Sequence, residues 1–480
     1  MAAGGAAACR KPEPPIRVAV HSAPQSLDPH LQNEILTSAV LANLYDALTE
    51  FDAESRVVPA LASEWRNPDD TTWVFRLRPG VRFHDGRALE VEDVVASLER
   101  ARSHPGSGIA SYLVEVGTIR AVDPSTVEIR TRRPFAALLA KVSTIAIVPR
   151  DAPGVITSPV GTGSYRLVRA GPDGLDLEPF ADDWRGTKRL APLRFLVEGD
   201  PRRRLERLLE GDADLATDLP ENAVETIRSA TCCRELAVPG ATVEYVRLAP
   251  TEPAFRDPRV REAIDLALDR PAYVAAAHSG LGLPAGQLVG RGVFGYAPAL
   301  KATVRDLDRA RRLLAEAGYP NGFEVVLEYR PGRRGDLLAA QLGAAGLRVT
   351  PREVPWTELH PRIRRGEVAF YFGGVVSQTA EASDVLDSFV HTRDEARGYG
   401  STNHSRYSNP AADALIEQAA SSLEMTRRRE LLQEAMRVVM ADRFLIPVAG
   451  LYEVYGLDRR VRFVPRLDMK LLGREIARER

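Results

Sequence analysis

Short apolar runs of strand character alternate along this 480-residue chain with segments whose apolar residues recur every three or four positions. That alternation restricts the fold to layers of helices on sheets. The run Ile16–Val20 reads as a buried strand, and the SLDPH that follows at 26–30 stops it with turn-forming residues. From Ser38 to Leu48, Val40, Leu41, Leu44 and Leu48 fall at helical spacing, which predicts a helix with its core face there. Trp73, Phe75 and Leu77 alternate with Val74, Arg76 and Arg78, are closed by Pro79-Gly80 and are answered by Val81 and Phe83, the pattern of a hairpin. Asp257-Pro258 and Asp306 each start a helix, the second stopping at Gly318 with Pro320 beyond, and a strand follows at Phe323–Tyr329. There is no internal repeat, heptad array or low-complexity body segment. The expected class is α/β with mixed sheets, and 480 residues with 44% hydrophobic content imply two or more lobes.

Charge and motif content exclude several functions. Lysine plus arginine number 64 against 65 acids, so no basic surface for nucleic acid is expected. No apolar run reaches the length needed for a membrane-spanning helix. The three cysteines, Cys9, Cys232 and Cys233, form no C-x-x-C, and the adjacent pair is expected as free thiols because bridging neighbours makes a strained ring. The eight histidines are dispersed, and His391 and His404 sit in loop-rich sequence that suits solvated or capping roles. No metal or cofactor is expected. No nucleophile elbow, H-E-x-x-H, P-loop or dinucleotide fingerprint occurs, so an enzyme is not expected.

Residues 59–101, PALASEWRNPDDTTWVFRLRPGVRFHDGRALEVEDVVASLERA, resemble the signature block of the family 5 extracellular solute-binding proteins, the oligopeptide, dipeptide and nickel-complex receptors. The resemblance runs on in order through SLDPH at 26–30, LYDALTEFD at 44–52, PVGTGSYRL at 159–167 and DDWRG at 182–186. It continues through LLEGDADLATDLP at 208–220, FRDPRVREAIDLALDR at 255–270, LLAEAGYPNGFEV at 313–325 and RYSNPAADALIEQA at 406–419.

The resemblance implies a type II periplasmic-binding fold, with two lobes, a hinge and a ligand cleft between the lobes. By that analogy residues 16–48, 156–238 and 452–480 form lobe one, 49–155 a subdomain on it, and 239–451 lobe two. The hinge crossings are expected near Pro239–Tyr245 and Ile446–Tyr452. The implied function is capture of a small polar or peptide-like solute for an ABC importer, with permease and ATPase subunits as partners and the protein itself a monomer. A ligand-sensing receptor of the same fold and, more distantly, a hydrolase are the rival readings. Residues 1–15 resemble the end of a bacterial lipoprotein signal and its linker: Ala6-Ala7-Ala8 lead to Cys9, the lipidation residue, and Pro12, Pro14 and Pro15 follow. Their lack of charged and apolar signal regions implies a native start upstream of Met1, and the expected location is the periplasm or cell surface, anchored through Cys9.

Site residues also follow from the resemblance. In 371–386, YFGGVVSQTAEASDVL, Val375 stands where peptide-binding relatives carry a tryptophan, and Gln378 where they carry the aspartate that holds the ligand's amine. A neutral amide suits a neutral polar group, because a buried ammonium needs a carboxylate; plain dipeptides with free amines are expected to bind weakly. Glu381 either replaces that carboxylate or is exposed, while Ser377 and Thr379 offer hydroxyls. Gly373-Gly374 either let a ligand approach or serve a turn. Thr162, in the PVGTG element, Tyr245, at the first hinge crossing, and Asn403, before the Asn409-Pro410 helix start, complete the expected ligand contacts, with Tyr407 nearby. The glycines of the PVGTG element can equally serve only a tight strand entry. Arg330, Arg333 and Arg334 can receive a carboxylate or form a solvated loop.

Overall fold

The IRVAV run forms the strand Ile16–Val20, buried along nearly its whole length and paired in parallel with Leu193–Val197 and Leu215–Ala216. The computed structural model describes residues 13–479 apart from 54, 187–189, 221–222 and 378, so the expectations placed on Cys9 and Gln378 lie outside the described residues. From the first strand a mixed, eleven-stranded sheet runs on through both lobes.

Two strands carry that sheet between the lobes. Cys233–Leu248 and Leu445–Asp458 pair antiparallel, Cys233–Pro239 against Tyr452–Asp458 and Val243–Arg247 against Leu445–Gly450. Their register slips between Pro239 and Val243 and again between Glu244 and Tyr245; such bulges bend a strand and increase its twist. On one side of the slips, Leu445–Asp458 continues into Leu215–Ala216 and the first strand. On the other, Cys233–Leu248 pairs with Phe370–Val376, which pairs with Glu324–Tyr329. Each half has its own core, one around Val18, Phe195 and Leu457, the other around Phe255, Leu327 and Phe370.

A separate four-stranded antiparallel sheet, ordered Ala62–Asp69, Thr72–Leu77, Thr126–Thr131, Val116–Asp123, buries Trp73 and Phe75 against Val94 and Leu98 of the helix Val91–Ser103. Its first hairpin corrects the sequence reading. Thr72–Leu77 turns back on Ala62–Asp69, not on residues 81–83, because Asp69 accepts hydrogen bonds from the Thr71 amide (2.9 Å) and the Thr72 hydroxyl (2.9 Å) and so builds the turn. Val81 and Phe83 instead fold over their own loop, with the Phe83 amide donating to the Arg87 carbonyl at 2.8 Å.

The helix expected over 38–48 is Ile35–Leu41, begun by Glu34, whose carboxylate accepts from the amides of Leu36 (2.9 Å) and Thr37 (2.6 Å). It ends early because its continuation has other backbone partners: Gly163 donates to the Leu44 carbonyl and Tyr165 to that of Asn43, both at 3.0 Å. Val40, Leu41, Leu44 and Leu48 are all buried, as their spacing implied. The helices starting at Asp257-Pro258, Asp306 and Asn409-Pro410 begin at those residues, each capped by the named side chain. In SLDPH, Asp28 is fully buried and accepts from Arg100 (3.0 and 2.5 Å) and from the amides of His30 and Ile156 (both 3.0 Å). One carboxylate thereby joins the first strand's exit to the four-stranded sheet's helix.

A Cβ at position 161 would lie 2.0 Å from the Leu44 carbonyl oxygen. Gly161→Ala is therefore expected to cost about 2 kcal/mol or more of stability, read as a lowered urea midpoint. Gly154→Ala, with nothing within 4 Å of its Cβ, is the control and should leave the midpoint in place.

Candidate functional site

Between the lobes lies a chamber of about 560 Å³. One wall is built by Ile35, Leu36 and Ala39 of the helix Ile35–Leu41, with Asp218 and Met469. The opposite wall is built by Tyr371, Gly374 and Val375 of the strand Phe370–Val376, with Arg330, Arg333 and Trp356. Glu453, on the long strand Leu445–Asp458, also faces it. Ile35 and Met469 are shared with a smaller chamber of about 130 Å³, lined among others by Tyr45, Tyr112, Thr379 and Lys470.

The charges of the large chamber are divided between its walls. Glu244, buried on Cys233–Leu248, accepts from the Tyr273 hydroxyl (2.9 Å) and His278 (2.8 Å) and pairs with Arg333. Burial works to raise the Glu244 carboxyl, but His278 and Arg333 outweigh it and hold it below the usual range. Arg333 is thus fixed by the hinge strand. Arg330, three residues earlier, has no side-chain hydrogen bond or ion pair among the described residues, and desolvation together with the neighbouring Arg333 depresses its pKa. An unpaired guanidinium beside a second cation is a place prepared for an anion. On the other side, burial and the nearby Asp218 push the Glu453 carboxyl up, while Asp218 itself is bonded to His21 (2.9 Å) and the Thr217 hydroxyl (3.0 Å).

The expected ligand contacts are dispersed. Val375 lines the large chamber and Thr379, buried, the smaller one. Ser377 is buried and donates to the Glu381 carbonyl (2.8 Å). Glu381 is neither exposed nor an open carboxylate: Arg428 donates to both its oxygens, at 2.7 and 2.8 Å, with both side chains buried. Thr162 donates to Asp46 (2.9 Å), which also takes Arg185 (2.7 Å) and the Trp184 indole N–H (2.9 Å). Asn403 is buried in its own loop, its amide donating to the carbonyls of Val390, His391 and Tyr407 at 2.8–3.1 Å and its oxygen accepting from Ser405 (2.6 Å). Tyr245 is buried edge-on to Tyr371 and Phe389, with ring centroids 6.2 and 5.2 Å apart. Thr162, Tyr245 and Asn403 are not among the residues lining either chamber.

Other readings are refined. The arginine cluster divides, with Arg334 at Asp336 on the surface (3.4 Å) and only Arg330 and Arg333 in the chamber. His391 is buried, not solvated, stacked on Tyr399 (4.1 Å) and hydrogen-bonded to Glu417 (3.1 Å). Cys232 is exposed and Cys233 buried, both as free thiols. Among the described residues no cluster of three metal-ligating side chains occurs, and no helix is long and apolar enough to cross a membrane. Sequence reasoning passed over Trp356 and Glu453, whose local sequence gives only an ordinary helix start and an ordinary strand.

Two lobes on one continuous sheet, crossed by two paired strands and enclosing a charged chamber, define a protein that holds a solute between its lobes. The chain belongs to the bacterial extracellular solute-binding proteins, family 5 (middle), whose model matches residues 56–397. It is 28% identical over 464 residues to the glutathione-binding protein GsiB of Escherichia coli (strain K12), covering 92% of this chain and 90% of that one. HbpA2 from Haemophilus parasuis shares the fold at a TM-score of 0.87 and 25% identity, covering 97% of this chain and 100% of that one. The periplasmic binding protein DppA from Helicobacter pylori, in complex with the peptide STSA, superposes at 0.79 with 23% identity, covering 97% and 98%. The fold is the two-lobed type II periplasmic-binding arrangement of mixed sheets.

Glu381, at the start of the helical segment 382–390, and Asp387 within it yield two predictions. Glu381→Gln leaves Arg428 buried without its counter-charge, so a loss of about 3–5 kcal/mol in unfolding free energy is expected, measured by urea titration. Asp387 has an oxygen, Oδ1, closed from solvent and unpartnered, and burial pushes its carboxyl up to about 7 against the opposing pull of Lys141 and Arg428. The native state then keeps a proton that the unfolded chain releases at its ordinary value of 3.8. Stability should fall as pH rises from about 4 to about 7, and Asp387→Asn should flatten that slope in urea midpoints taken across the window.

Proposed function

We propose that this protein is the substrate-binding component of an ABC importer, closing its lobes over a small, carboxylate-bearing polar or peptide-like solute in the 560 Å³ chamber. The observation that carries the reading is Arg330: a guanidinium with no partner among the described residues, set beside the anchored Arg333 on a chamber wall. A solute carboxylate supplies the missing counter-charge, and guanidinium takes it through two parallel hydrogen bonds. The relatives' own ligands, glutathione for GsiB and a peptide for DppA, support a peptide-like class.

In this reading residues 16–48, 156–238 and 452–480 move as lobe one, carrying 49–155, against 239–451 as lobe two. The register slips near Pro239–Tyr245 and the facing Ile446–Tyr452 support the hinge there. The protein works as a monomer that binds without chemical conversion, docks on permease and ATPase subunits when closed, and is anchored to the membrane by a lipid on Cys9, in the periplasm or at the cell surface. In this reading Val375, on the strand Phe370–Val376, and Ser377, Gln378, Thr379 and Glu381, which follow it in sequence, bound the solute. Ser377 and Glu381 shape this segment, Val375 meets the solute and Thr379 faces the smaller adjoining chamber; Thr162, Tyr245 and Asn403 support the walls behind.

The test is calorimetry with the solute eluted from protein purified from its native cells and identified by mass spectrometry. Arg330→Gln should weaken binding about tenfold to a hundredfold through loss of a charge-assisted pair, with no change in urea midpoint. Undiminished affinity in that variant removes Arg330 from the site.

A further inference from the structure

Trp356, an indole lining the chamber, is 44% exposed. It is the first residue of the helix Trp356–Arg365, entered from Pro355. One face of its indole is covered by His360, one helical turn on, with ring centroids 4.8 Å apart and planes 24° from parallel. His360 is in turn met edge-on by His404 at 6.1 Å, and burial holds His404 at about 4, so the ring behind His360 is uncharged near neutrality. The indole is therefore backed on one side by an imidazole, while Trp356 lines the chamber and remains part-exposed. Val375, on the same chamber, is aliphatic.

We propose that Trp356 is the stacking wall of this chamber and that it selects solutes carrying a flat aromatic or conjugated group next to the carboxylate. The inference rests on the reading of the chamber as the solute site. A tryptophan left wet at the wall of a chamber regains favourable burial when a flat group covers it, and ring pairs add an orientation-dependent attraction that an aliphatic chain of the same size lacks. An ammonium would also be drawn to an indole face, but Arg330 and Arg333 line the same wall and repel a cation there. A flat neutral group attached to an anion satisfies both the indole and the guanidinium.

The probes are N-acetyl-tryptophan and N-acetyl-leucine, which share the blocked amine and the carboxylate and differ in the side group. Calorimetry on the full chain should show the indole probe binding at least tenfold more tightly. Trp356→Leu should bring the two within about twofold by weakening only the indole probe, and Trp356→Phe should keep most of the preference. Urea midpoints of both variants should match the parent, since the side chain is exposed. Equal affinities in the parent protein, a preference that survives Trp356→Leu, or no binding of either probe at millimolar concentration overturns the proposal. Arg330→Gln separates the two readings: equal probes that both depend on Arg330 sink the stacking wall alone, whereas a Trp356-dependent preference indifferent to Arg330 sinks the carboxylate reading alone.

Discussion

The antiparallel pairing of Cys233–Leu248 with Leu445–Asp458 is the constraint on which the molecule depends. Backbone hydrogen bonds along two strands tie the lobes together, with the ladder interrupted and bent where the register slips. The same strands carry the polar groups that organise the chamber. Glu244 follows the first slip and fixes Arg333, and Glu453 stands opposite Val238 on the partner strand and faces the chamber directly. A change of register by one residue would send these side chains to the other face of the sheet. The proposed hinge and the charged chamber thus share these two strands.

Local chemistry in the sequence was enough wherever a residue satisfies its own neighbours. Asp257, Asp306 and Asn409 cap the helices that follow because a short polar side chain reaches the next amides whatever the remainder of the chain does. Local pattern gives way where a distant segment claims the backbone. The carbonyls of Asn43 and Leu44 are taken by residues 163 and 165, so the helical pattern stops at Leu41 although its apolar residues stay in the core. Pro79-Gly80 looked like the hairpin turn, but Asp69 builds a turn from its own carboxylate one strand earlier.

The site was less legible than the fold, for a physical reason. Whether a polar side chain meets solute depends on what else it can reach, and those partners are remote in sequence. Glu381 finds Arg428, 47 residues on, and Thr162 finds Asp46, 116 residues back. Of three neighbouring arginines the chain gives no means to see that Glu244 captures Arg333, that Asp336 takes Arg334 and that Arg330 is left over. Asn403 has the amide expected of a ligand contact, but the carbonyls of its own loop absorb it. Trp356 carried no signal because an exposed aromatic at a helix start becomes informative only once a chamber is found beside it.

A solute held between two lobes that move about the paired strands must draw those lobes together. Small-angle X-ray scattering, with and without the native solute at a concentration that calorimetry shows to be saturating, tests this most directly. The loaded protein should have a smaller radius of gyration and a shorter maximum dimension, as the walls carrying Asp218 and Arg330 approach each other. Identical profiles at proven saturation would contradict it, since the solute would then be bound without the lobes closing on it.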